Sequence, residues 1–225
     1  MGQPEEDEDE EEGKMDGARR RMSWELRREE CKYTSCYCEE NVWWMCNELI
    51  RLGVRCFAVV CSNPNRTTPV FQQRAGNEAN AGLVVWDYHV FCMQCDAEGK
   101  AIRVFDLDTR LDFPQDATEY FERTFPEGPM LFLRQTFGDI FFRVVEGESY
   151  LREFSSDRSH MKLPDGKWQA PPPSYACILQ DDGVNRFDEQ MAISSKDHRE
   201  RGSGWGTVYS LDEFRETFLY NNKHL

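Results

Sequence analysis

The sequence reads as an α+β domain, and three patterns carry that reading. A helix apolar around most of its circumference falls at 39–53, apolar β-branched runs recur between short turns, and further helical patterns lie towards the C-terminus. One central helix on a largely antiparallel sheet, with helices at the periphery, accommodates all of these elements.

The central helix opens on Glu39-Glu40, and Gly53 stands just past its end, which matches the usual start and stop chemistry. Val42, Met45, Cys46, Leu49 and Leu52 mark one face, and Trp43 and Ile50 widen it, so the helix is expected to be buried. Arg55–Cys61 is a strand pattern ended by the turn Asn63-Pro64-Asn65. Val84–Cys95 and Lys100–Leu107 flank Asp96-Ala97-Glu98-Gly99 as a hairpin. Pro114–Phe125 has helical spacing at Ala117, Tyr120, Phe121 and Thr124, with Pro126 ending it. Ile140–Val145 and Gly206–Ser210 read as strands, and residues 155–175 as a long loop. Ser210 and Glu213 form a capping box that opens a helix from Leu211 to about Tyr220.

Composition bounds the function. The 225 residues carry 41 acidic and 27 basic side chains, a net charge of −14. Residues 1–30 hold −6 of it, concentrated in Glu5–Glu12, and are expected to form a disordered acidic tail before a single domain at 31–225. The domain's own −8 would repel a phosphate backbone, so nucleic acid is not expected as a partner. The longest apolar run, Cys56–Cys61, is far short of the ~18 residues of a membrane span, so no membrane association is expected either. The first twelve residues hold eight carboxylates and no apolar stretch, unlike a secretory signal. The odd count of nine cysteines then points to reduced thiols in the cytoplasm or, with Arg19-Arg20-Arg21 as an import signal, the nucleus. No heptads argue for more than a monomer.

Among four histidines, His198 lies in a charged run and His224 is next to last, whereas His89 lies inside the apolar run 84–91. A turn at Asp96–Gly99 places Met93 opposite Ile102, Phe91 opposite Val104 and His89 opposite Asp106. A carboxylate there orients the imidazole and stabilises its cation. Cys38 immediately precedes the helix start, where the dipole and free N–H groups favour thiolate. Cys36, two residues upstream, is its rival, and Cys46 falls within the helix. Thiol, imidazole and carboxylate together supply nucleophilic catalysis. Metal binding would need Cys36, Cys38, Cys92 and Cys95 to converge. Cys92 and Cys95 are three apart on a strand and point to opposite faces, so no metal and no cofactor are expected.

These residues sit in motifs that resemble the protein N-terminal glutamine amidohydrolase family, also known by its Trp-Asp-Tyr-His-Val motif. The motifs are Cys36-Tyr37-Cys38-Glu39-Glu40-Asn41, Trp86-Asp87-Tyr88-His89-Val90 and Asp106-Leu107-Asp108-Thr109. Further matches are Ser156–Met161, Pro171-Pro172-Pro173-Ser174-Tyr175 and Gly204–Tyr209, so the resemblance runs from about Cys31 to Phe218. It implies an α-β-α sandwich akin to papain-like and transglutaminase folds, with Cys38, His89 and Asp106 as the triad. It also implies deamidation of Gln at the N-terminus of proteins or peptides, releasing ammonia. The resulting N-terminal Glu would feed N-degron (N-end rule) degradation. Such a substrate presents a free α-ammonium, for which Tyr37, Glu39, Trp86, Asp87 and Tyr88 are the flanking candidates, and His160 a pocket-rim candidate. A cysteine protease or transglutaminase would use the same triad, and a non-enzymatic acidic module would use none of it. Sequence alone leaves those readings open.

Overall fold

The computed structural model describes residues 26–200 and 205–220. Residues 1–25, 201–204 and 221–225, which include most of the expected acidic tail and His224, lie outside the described residues. In chain order the strands are β1 (Cys56–Ser62), β2 (Thr68–Val70), β3 (Val84–Trp86), β4 (His89–Cys95), β5 (Ala101–Phe105), β6 (Gln115–Asp116), β7 (Phe141–Glu146) and β8 (Thr207–Ser210). The helices are α1 (Cys38–Arg51), α2 (Ala117–Thr124), α3 (Glu127–Phe137), α4 (Gly147–Glu153), α5 (Phe187–Met191), α6 (Ser195–Arg199) and α7 (Leu211–Phe214). A π-helical turn, Arg215–Leu219, continues α7.

Six strands form one sheet in the order β6-β5-β4-β1-β7-β8, and each of its pairings is antiparallel. Side chains alternate across the sheet, and they sort into two apolar cores. Ala58, Val60, Val90, Cys92 and Phe105 meet α1, α4 and α5 on one face. Val59, Phe91, Met93, Val104 and Phe142 meet α2, α3 and α7 on the other. Helices therefore cover both faces of a mostly antiparallel sheet.

Helix α1 carries the patterning expected of it: Val42, Met45, Cys46 and Leu49 are buried, and Trp43 and Ile50 half-buried. Leu52, by contrast, is the C-cap and 43% exposed, because the chain turns away there through Gly53 in the left-handed region. The capping box at α7 forms as expected, with Ser210 Oγ accepting from Glu213 N–H and Glu213 Oε2 accepting from Ser210 N–H.

Four expectations need correction. Residues 84–95 are two strands, since the chain breaks at Asp87-Tyr88 and β3 leaves to pair with β2 in a separate ribbon. The hairpin register is shifted by two: Met93 opposes Val104 and Cys92 opposes Phe105. The cause is Asp96 pairing around Gly99, which lies at positive φ, followed by an irregularity between Gln94 and Cys95. A shift of two conserves the face of each side chain, so His89 and Asp106 stay on one side as diagonal neighbours. Glu127–Phe137, which held no helix in the sequence reading, is α3, with Pro129 tolerated in its first turn. Finally, Leu26 to Glu30 are docked on the domain. Leu26 packs on the core, and the Arg28 guanidinium donates to the carbonyls of Leu107, Thr109 and Leu111 at 2.8–3.0 Å.

Candidate active site

The site forms where the N-terminus of α1 meets the start of β4. Cys38 is the first residue of α1, positioned by a latch behind it: Asn41 and Thr34 exchange two hydrogen bonds of 2.8 and 2.9 Å. The N–H of Val90 donates towards the Cys38 sulfur, which sets the thiol beside the residue that follows His89. The expected lowering of this thiol is outweighed. Burial pushes it well up, and Glu39 and Asp108 add to the rise, while the Val90 N–H opposes it. The surroundings of Cys38 therefore favour the thiol over the thiolate. Cys36 is exposed, at positive φ, with Ser35 Oγ 3.6 Å from its sulfur.

His89 is buried, and its Nε2 lies 3.1 Å from Asp106 Oδ2, though bent from the straight N–H direction. That leaves Nδ1 as the ring nitrogen free to take a proton from a thiol. Burial alone would push the imidazole down, but the Asp106 charge and hydrogen bond reverse this, with help from Asp108, and the net shift is upward. Asp106 shows the converse: burial pushes its carboxyl up, and His89, Tyr120 and the Asp108 N–H bring it below the usual carboxylate range.

Asp106 is held on every side. Its Oδ2 accepts from Tyr120 at 2.8 Å and from Gln73 Nε2 at 3.2 Å, and its Oδ1 from Asp108 N–H at 2.9 Å. Gln73 in turn accepts from the Trp86 indole at 3.3 Å, and Trp86 stacks on His89 with centroids 6.0 Å apart. Tyr120, Gln73 and Arg28 were not singled out for the site by sequence reading. Tyr120 carried a signal only as a core position of α2, and Gln73 reaches the site through an isolated bridge to Thr109.

The candidate binding residues scatter. Trp86 is a wall of the imidazole. Tyr37 is fully buried and donates to the Ala170 carbonyl at 3.3 Å. Tyr88 is buried and donates to Glu39 Oε2 at 2.8 Å. Asp87 faces solvent, 3.2 Å from Arg66. Glu39 is sealed, with Oε2 3.7 Å from the Cys38 sulfur and Oε1 3.8 Å from His160 Nε2. His160 is stacked on Phe187 at 3.5 Å, and burial lowers it to about 4. Glu40 makes a buried two-pronged pair with Arg158, 2.7 Å at each prong.

Burial raises Glu39 to about 8, against the lowering by its own N–H and Tyr88. Folding thus holds a proton on Glu39 that the unfolded chain releases above its ordinary 4.5. That contribution is complete below about 4.5 and is lost as pH rises through about 8. Glu39→Gln should therefore flatten the pH dependence: between pH 5 and 8.5 the wild type should lose on the order of 2–4 kcal/mol relative to the variant. Urea unfolding of both proteins across that range measures the difference.

Among the described residues, two side-chain groups are close enough to share an ion, Cys46-Cys56-Cys92 and His89-Asp106-Asp108. The three cysteines are core residues, with the Cys46 and Cys92 sulfurs in contact at 3.8 Å. The carboxylate oxygens of Asp106 are already committed to the donors above, which suits an orienting acceptor better than a ligand. The four cysteines weighed for zinc do not converge: Cys92 and Cys95 fall in different cores, as the strand period requires.

Comparison with known proteins decides the family. The model for N-terminal glutamine amidase matches residues 33–218. The chain belongs to the N-terminal glutamine amidase family. It is similar to the protein N-terminal glutamine amidohydrolase of Drosophila grimshawi, 43% identical over 201 residues, covering 87% of this chain and 92% of that protein. The protein of the same name from Drosophila pseudoobscura pseudoobscura is 44% identical over 194 residues, covering 84% and 89%. That of Drosophila melanogaster is 42% identical over 200, covering 87% and 92%. The matched span contains Cys38, His89 and Asp106 as well as Gln73, Tyr120 and Asp108.

Proposed function

We propose that this protein deamidates the side chain of an N-terminal glutamine to glutamate, releasing ammonia, through a thioester on Cys38. The observation that carries the reading is the buried His89–Asp106 pair beside the thiol at the start of α1, in a chain of this family. The papain-like comparison rests on the same logic, a helix-borne thiol facing an imidazole and its acceptor on neighbouring strands.

The Cys38 sulfur attacks the carboxamide carbon as its proton passes to His89 Nδ1. The oxyanion lies at the first turn of α1, where the Cys38 N–H can donate to it. Collapse of this intermediate breaks the C–N bond, and the departing nitrogen takes the proton from His89 and leaves as ammonia. A water then gives a proton to His89 and attacks the thioester. Loss of the thiolate, which recovers that proton, yields glutamate and the starting enzyme. Asp106 stays ionised throughout and fixes the ring. The raised imidazole suits this double duty.

The protein would act on free N-termini as a monomer in the cytoplasm or nucleus, and its product would feed N-degron degradation. Nucleic acid and membranes have no part in this reading, and no cofactor enters it. A peptide panel with ammonia detection tests it. Gln-first peptides should release one ammonia each, and acetylated or internal Gln none. Backbone cleavage, or amine incorporation at internal Gln, would replace the reading with a protease or a transglutaminase.

A further inference from the structure

An N-terminal glutamine brings an α-ammonium within roughly 5 Å of the carbon that Cys38 attacks, four bonds away along the side chain. A cation in a partly desolvated cleft needs an anionic partner there. The carboxylates around the thiol can be taken in turn. Glu39 is completely buried, with Oε2 taken by the Tyr88 hydroxyl and the unbonded Oε1 facing His160 Nε2 at 3.8 Å. Glu40 is consumed by Arg158. Asp87 points to solvent and pairs with Arg66. Asp106 has its oxygens filled by Tyr120, Gln73, the Asp108 N–H and His89.

Asp108 differs from all four. It is half-exposed, and one of its carboxylate oxygens lies within 4.8 Å of both a His89 ring nitrogen and an Asp106 oxygen. Its charge is also felt by the Cys38 thiol. Its backbone is fixed at both ends, by the N–H bond to Asp106 and by a 2.8 Å bond from Arg74 N–H to its carbonyl. Oδ1 accepts from the Tyr33 hydroxyl at 2.7 Å, which sets the carboxylate's rotation, and the Arg74 cation acts on the same carboxylate without a hydrogen bond to it. Tyr33 is itself 45% exposed, so this pair lies at the surface beside the buried His89.

We infer that Asp108, held by Tyr33, receives the α-ammonium of the substrate and is the residue that restricts the reaction to free N-termini. The assignment rests on the deamidation reading above and adds the residue that selects the terminus.

The test compares kcat/KM for a Gln-first peptide with that for the same peptide whose first residue lacks its α-amine and keeps its carboxamide. Wild type is expected to prefer the amine by about 100-fold. Asp108→Asn should lower that preference at least tenfold, while Asp108→Glu retains more of it than Asn does. A residue that only supports His89 would slow both substrates equally, so an unchanged preference in Asp108→Asn overturns the inference. Should the Asn variant fail to fold by thermal melting, Tyr33→Phe reads the same ratio. A fall of about threefold is expected there, and no change overturns the inference. Wild type releasing no ammonia from the Gln-first peptide would instead sink the deamidation reading itself.

Discussion

Cys38→Ala should abolish ammonia release from Gln-first peptides, with kcat falling by on the order of 10⁴-fold or more, while the fold persists. The thiol is not needed for packing, since Cys38 only borders the core and alanine suits the first turn of α1. A melting temperature within a few degrees of wild type is therefore expected. Cys36→Ala is the matched control. Its side chain is exposed and outside the buried network, so activity should stay within about twofold. Steady-state ammonia assays on the two variants, with melting curves beside them, separate loss of the nucleophile from loss of structure. The other cysteines do not offer an alternative nucleophile of the same standing. Cys46, Cys56, Cys61, Cys92 and Cys95 are buried in the cores, and Cys31 and Cys177 are half-buried away from His89.

The largest stability effect is expected at Arg158. Its guanidinium donates twice to Glu40 on α1 and also to the carbonyls of Pro173, Tyr175 and Ala176. It therefore ties the long loop after α4 to the helix that carries Cys38. Arg158→Met leaves the Glu40 carboxylate buried without a partner, and removal of one member of such a pair costs about 3–5 kcal/mol. Arg158→Met combined with Glu40→Gln removes both charges and should recover part of that loss. Recovery stays partial because the three carbonyls lose their donor as well. Urea denaturation of the two single variants and the double variant gives the coupling energy directly.

How much of this was legible in the sequence depended on the range of the interaction. Helix α1 and the Ser210–Glu213 box follow from local spacing and capping, and both form where expected. The His89–Asp106 pairing was reached from a register that was wrong by two. It survived because an even slip preserves the face, whereas the wider turn around Gly99 and the irregularity at Gln94/Cys95, which together cause the slip, have no signature in composition. The break at Asp87-Tyr88 is hidden because apolar residues flank it on both sides and no Gly or Pro marks it, so one strand and two strands in different sheets share the same pattern. Gln73, Tyr120 and Arg28 were missed for a different reason. Each reaches the Asp106 loop from a distant segment, and Arg28 sits in a stretch whose charge reads as solvated tail until its four hydrogen bonds to that loop are seen. Glu39 and Tyr88 are candidates for substrate contact from their place in the sequence, yet Tyr88 donates to Glu39 Oε2 in the interior. Neighbourhood in sequence to a catalytic residue says little about which way a side chain faces.

The most direct test of the central claim is to trap the acyl-enzyme. Wild-type protein is mixed with a Gln-first peptide, quenched in acid, digested and examined by mass spectrometry, with hydroxylamine added to a parallel reaction. An adduct of the whole peptide less one ammonia is expected on the fragment containing Cys38. The γ-hydroxamate of the peptide is expected where hydroxylamine competes with water. Ammonia release at the wild-type rate from Cys38→Ala, or an adduct on any other residue, would contradict a thioester on Cys38.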